Sequence, residues 1–139
     1  NPSTADGTED DPTIRRCVRF ARDWGYGGIE VVILFPLRAT DPRELKKHPN
    51  PRGRMTPAGS KNVLNVHVAC GEAGLIVAAW GARAEQADSA SMAHLLQTQG
   101  DVHALGFTRS DLPRHPLMLR ADTKPHLWLR KRAWVGSIR

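Results

Sequence analysis

Two short apolar runs rich in β-branched residues, Ile29–Phe35 and Leu75–Trp80, are separated by stretches with helical spacing. A strand that is apolar along its whole length has both faces covered, and in a small domain that means a parallel sheet with helices packed against it. Asp11-Pro12 has the chemistry of an N-cap followed by the first helical residue. Ile14, Cys17, Val18, Ala21 and Trp24 then recur at helical spacing, opposite Arg15, Arg16, Arg19 and Arg22, until Gly25, Gly27 and Gly28 stop the helix. Residues 60–70 and 84–99 read as two further helices, the second with Ala87, Met92 and Leu95 or Leu96 inward, and Val102–Phe107 reads as a third strand. Residues 36–59, rich in Pro, Arg and Lys, predict a long loop with one short helix at Pro42–Lys47. This alternation predicts an α/β fold, a three-layer αβα domain around a short parallel sheet. With 139 residues the chain has room for one such domain.

The charge is unevenly placed. From Arg114 to Arg139 there are seven Arg or Lys against one acid, Asp122, so this end carries the whole net charge of +6. The expected division is therefore one α/β domain over residues 1–126 and a basic, Trp-containing tail over 127–139. Basic residues interleaved with His126, Trp128 and Trp134 suit a polyanion, because indole rings stack on bases. Nucleic acid is the expected partner, DNA in preference to RNA, through Arg130, Lys131 and Arg132. No apolar run approaches a membrane span and no basic-then-apolar leader is seen, so no membrane partner is expected. Cys17 and Cys70 lack metal-type spacing and read as free thiols in a reducing cytoplasm. His48, His67, His94 and His103 also lack ligand spacing, so neither a metal nor a cofactor is expected.

In an open parallel sheet, ligands bind beyond the carboxyl ends of the strands. Those ends here are Phe35-Pro36-Leu37-Arg38, Trp80-Gly81-Ala82 and the loop running through Thr108 to His115. Asn1-Pro2-Ser3-Thr4-Ala5-Asp6 makes a polar turn of the kind that usually follows a strand, so a first strand upstream of residue 1 is expected. Four polar motifs then converge on one edge of the sheet.

These motifs carry two resemblances. Asn1-Pro-Ser-Thr-Ala-Asp6, Asp10-Asp-Pro-Thr-Ile-Arg-Arg-Cys17, Leu34-Phe35 with Arg38-Ala-Thr-Asp-Pro42, Trp80-Gly-Ala82 and Arg114-His-Pro-Leu117 resemble a widespread family of small bacterial and phage proteins known only as a domain of unknown function. Asn1-Pro2 and His115-Pro116-Leu117 are also similar, in order and sheet position, to two motifs of the uracil-DNA glycosylase superfamily. There the first positions a water and the second contacts base and strand. Two departures stand out: Ile33 occupies the place where that pattern implies an amide reading the base edge, and the late motif lacks a second Ser-Pro element.

The glycosylase resemblance implies an enzyme of DNA repair or modification that hydrolyses the N-glycosidic bond of a base or modified base. Such a reaction needs a positioned water, stabilisation of a cationic sugar and help for the departing base. Asn1 and Asp6 are the candidates for the water and the negative charge, and His115 for the donor to the base. Turn and helix capping are the structural alternatives for Asn1 and Asp6, and for Asp6 the two readings weigh about evenly. Arg38 and Arg114 are candidates for phosphate contact, since a guanidinium fork matches phosphate geometry. Phe35 and Trp80 suit base stacking or the core, and Leu117 suits contact with the substrate. A hydrolase or transferase acting on free nucleotides, and a non-catalytic nucleic-acid-binding module, are the competing readings.

Overall fold

The computed structural model describes residues 11–32 and 57–132, with side chains from residue 63 onward in the second segment. Within them the chain is a mixed α/β fold of three helices and one small three-stranded sheet. Helix α1 spans Pro12–Asp23 and α2 Pro57–Glu72. Strand β1 (Ile76–Ala78), helix α3 (Gln86–Gln99) and strand β2 (Val102–Ala104) follow. A single 3-10 turn at Pro116–Met118 precedes strand β3 (His126–Leu129).

The start of α1 is set chemically. The Asp11 carboxylate accepts from the Thr13 and Ile14 N–H groups at 2.7 and 3.3 Å, satisfying two donors that the helix cannot bond internally. Pro12, which has no N–H to lose, occupies the first turn. The helix buries Phe20 and Ala21, and Trp24 stacks on Phe20 at 5.3 Å between centroids. The Trp24 Nε1–H donates to the Thr123 carbonyl at 3.1 Å, tying the end of α1 to the approach to β3.

The strand order is β1-β2-β3. Strands β1 and β2 are parallel, with Ile76 opposite Val102 and Ala78 opposite Ala104, and α3 makes the crossover between them. Side chains of β1 and the residues after it alternate between two apolar clusters, as a strand's period of two requires. Ile76, Ala78 and Trp80 join Val66 and Cys70 of α2, Leu96 of α3 and Val102. Val77 and Ala79 join Phe20, Leu105 and Leu119 on the other side. Helices thus cover both faces of the sheet.

Two expectations need correction. The sheet is mixed rather than parallel, because β3 pairs antiparallel with β2, Val102 facing Leu129 and Ala104 facing His126. The boundary expected after residue 126 falls inside this strand, and Trp128 and Leu129 pack against the larger cluster. The basic residues around β3 obscured a four-residue strand whose apolar side chains have a core to reach. The second correction concerns Ile29–Phe35. Residues 29–32 form no strand, and 33–35 lie outside the described residues. Ile29 and Val31 are 37% and 52% exposed, and Val32 alone of residues 29–32 packs on the core, so this described part of the run is not buried on two faces.

The short helix expected at Pro42–Lys47 also lies outside the described residues. Cys17 and Cys70 are free thiols. Among the described residues no helix is long and apolar enough to cross a membrane.

Candidate functional site

The carboxyl edge of the parallel pair carries two glycines in the left-handed half of backbone space. Gly81 follows Trp80 at φ +90°, and Gly106 follows Leu105 at φ +130°. Each backs one residue of the Arg114-His115 pair. A Cβ on Gly81 would stand 3.0 Å from the His115 Cβ, and a Cβ on Gly106 would stand 3.2 Å from the Arg114 Cδ. Backbone hydrogen bonds fix the same approach: the Gly81 N–H donates to the Pro113 carbonyl at 2.8 Å, and the Arg114 N–H to the Gly106 carbonyl at 3.0 Å.

The segment between Gly106 and Arg114 is a tight hairpin. Phe107 bridges Pro113, the Thr108 N–H donates to the Leu112 carbonyl, and the Thr108 carbonyl accepts from the Asp111 N–H. The Thr108 hydroxyl accepts from the Ser110 and Leu112 N–H groups at 3.3 and 3.2 Å. Asp111 holds the one positive φ of a non-glycine among the described residues, +60°, which a short polar side chain tolerates. The hairpin is tied to the neighbouring loop a second time, through the Gln86 side-chain amide, which donates to the Ser110 carbonyl. Two loops, 81–86 and 106–115, are thereby locked side by side.

His115 caps the following 3-10 turn, its Nδ1 accepting the Leu117 N–H at 3.2 Å. Partial burial pushes its pKa below the ordinary imidazole value, and the Asp11 carboxylate at the start of α1 pulls the other way. Leu117 is 42% exposed and Met118 86%, so the turn presents apolar side chains to solvent directly after the histidine.

The structure therefore brings together two of the sequence motifs, Trp80-Gly81 and Arg114-His115. Trp80 itself is half-buried, its Nε1–H donating to the Ser89 hydroxyl at 2.9 Å and its ring meeting Trp128 edge-on at 6.3 Å. Among the described residues the exposed aromatic at this edge is Phe107, also edge-on to Trp128. Sequence reasoning passed over Phe107 as a strand end; the Gly106 before it was the available signal. Asp11 was read as a helix cap only. Asn1, Asp6, Phe35 and Arg38 lie outside the described residues, as does Ile33.

Arg130, Lys131 and Arg132 stand elsewhere. Because β3 runs antiparallel, its end returns to the start of β2, the edge opposite Gly106. The Lys131 N–H donates to Asp101 at 2.6 Å, the Arg132 N–H to the Gln97 carbonyl, and the Gln97 amide to the Arg130 carbonyl. From Asp101 to Gly106 is about 17 Å of extended chain. The basic run and His115 occupy opposite ends of the sheet.

Among the described residues no group of three or more His, Cys, Asp or Glu could hold a common metal ion. A family model described as "Protein of unknown function (DUF1643)" matches residues 1–117. No curated protein and no solved structure matches the chain.

Proposed function

The chain belongs to the DUF1643 family, and we propose from its own residues that it is a DNA-glycosylase-like enzyme, cleaving the N-glycosidic bond of a base or modified base in nucleic acid. The observation that carries this reading is the hydrogen bond from the Leu117 N–H to His115 Nδ1. A neutral imidazole has one acceptor nitrogen and one donor nitrogen. With Nδ1 engaged as acceptor, the proton resides on Nε2, and the lowered pKa keeps the ring in this neutral form near pH 7. A neutral N–H donor held by two loops suits a leaving group whose negative charge grows as the bond breaks, because it need not reorganise during the reaction.

In this mechanism the C1′–N bond breaks with its electron pair passing to the base, which the His115 Nε2–H stabilises. Water supplies the oxygen to C1′ and passes its proton to the Asp6 carboxylate, from which it goes on to the released base. Asn1 and Asp6 hold that water and the cationic sugar, in a uracil-DNA-glycosylase-like arrangement. Phe107 offers a stacking face, and Leu117 with Met118 an apolar wedge against the strand. Ile33 cannot hydrogen-bond a uracil edge, so modified cytosines and thymines are the favoured targets.

The test is release of free base from oligonucleotides carrying uracil, modified cytosine or modified thymine. His115→Ala should slow release by about a hundredfold or more while leaving affinity for the oligonucleotide nearly unchanged. Unaltered protein that frees no base from any member of the panel overturns the reading. Release from free nucleotides alone would make it a nucleotide hydrolase instead.

A further inference from the structure

The two loops locked beside His115 carry three arginines, Arg83, Arg109 and Arg114, all exposed. None of the three makes an ion pair among the described residues. Their placement is fixed by the cross-ties already described. Arg83 lies between Gly81, bonded to the Pro113 carbonyl, and Gln86, bonded to the Ser110 carbonyl. Arg109 follows Thr108 in the hairpin, whose tip that hydroxyl organises. Arg114 lays its aliphatic stem on Gly106, where the missing Cβ makes room for it. The acids on the same loops are Glu85, which already has a partner, and Asp111. The pair of loops is cationic even with both counted. The other basic run, Arg130–Arg132, is tied to the far end of β2 and is out of reach of anything as small as one or two nucleotides.

We propose that Arg83, Arg109 and Arg114 form a phosphate clamp beside His115, so that the site takes a base only as part of a nucleotide unit. Guanidinium forks match phosphate oxygens and are costly to leave unpaired in a closed complex. The clamp assigns substrate class to the site proposed above and rests on His115 marking that site. Free bases and nucleosides lack its ligand; a mononucleotide and a stretch of strand both provide it.

The experiment uses a single-stranded dinucleotide with a terminal phosphate, followed through the imidazole resonances of His115 in the intact chain. A methylphosphonate dinucleotide without the terminal phosphate, the mononucleotide and inorganic phosphate are run alongside. The dinucleotide is expected to shift His115 and to bind at least tenfold more tightly than its uncharged analogue. Each of Arg83→Gln, Arg109→Gln and Arg114→Gln should weaken it by about tenfold, as for loss of a charge-assisted hydrogen bond. Arg114→Lys should recover only part of the loss, because a point charge lacks the fork. A mononucleotide binding as tightly as the dinucleotide assigns the clamp to free nucleotides; a clear preference for the dinucleotide assigns it to a strand. Equal binding of the uncharged analogue, no shift of His115, or parental affinity in the loop variants overturns the clamp. So does inorganic phosphate matching the dinucleotide. The outcome is independent of chemistry: a clamp that binds while no base is ever released leaves the clamp standing and removes the glycosylase.

Discussion

Replacing Gly81 by Ala tests whether the approach of the Trp80 and Arg114 loops depends on a missing side chain. Two costs add. At φ +90° an L-residue with a Cβ is strained by about 1–2 kcal/mol. The new Cβ would also stand 3.0 Å from the His115 Cβ, where carbon atoms prefer about 3.5–4.0 Å. A Cβ cannot swing away as a side-chain tip can, so the His115 backbone must retreat, and overpacking of this kind costs about 1–3 kcal/mol. The stiffer unfolded chain returns about 0.4–1 kcal/mol. The net loss is about 1–4.5 kcal/mol, set against the roughly 5–15 kcal/mol that holds a domain together. Urea unfolding followed by tryptophan fluorescence reads it directly. Gly106→Ala serves as a comparison, because its contact is the flexible Arg114 stem, so backbone strain should dominate its cost. Gly71→Ala is the opposite control, set in α2 with open space around it, and should stabilise by about 0.5–1 kcal/mol. A Gly81→Ala protein within about 0.5 kcal/mol of the parent, with the His115 resonances unmoved, would refute the argument.

Other expectations follow from the same residues. His115 should titrate below 6.5 in the folded chain, since burial lowers its pKa; its neutral form then favours folding above the unfolded value, and that contribution falls away as pH drops below 6.5 towards the folded pKa. Protonation also puts a hydrogen on Nδ1 and so opposes the Leu117 bond, which a pH series of imidazole nitrogen shifts would show. Asp11→Ala should lower the His115 pKa further and cost about 1 kcal/mol of capping. An upward shift would contradict the placement of that carboxylate. Trp128→Ala should cost about 3–5 kcal/mol in thermal or urea unfolding if β3 belongs to the core, and almost nothing if it belongs to a tail.

Much of the fold was legible where local chemistry and packing agree. Asp11-Pro12 announced α1 to the residue, and the runs around Ile76–Ala78 and Val102–Ala104 lay beside helices that could cover them. Ile29–Val32 misled because apolarity records what a residue can bury, not whether a neighbouring strand is there to bond it. Strand β3 was hidden by its charged flanks, and with it the sense in which the chain returns. That sense decides where Arg130–Arg132 sits, and no composition count contains it. At the site, the pairing of Trp80-Gly81 with Arg114-His115 followed from the rule for parallel sheets. The tautomer of His115 did not, because it depends on one backbone N–H two residues further on.

The antiparallel return has one more effect. Within the described sheet β3 is an outer strand, with β2 on one side only. An outer strand invites a second chain to pair with it, and proteins discourage this by crowding such strands with cationic side chains. Arg130, Lys131 and Arg132 stand directly at its end, exposed, so their mutual repulsion between copies works as a gatekeeper against sheet-to-sheet growth. Removing those charges trades solubility for stickiness. A protein so altered is best handled dilute, with its particle size checked, before any change in its ligand binding is ascribed to the ligand.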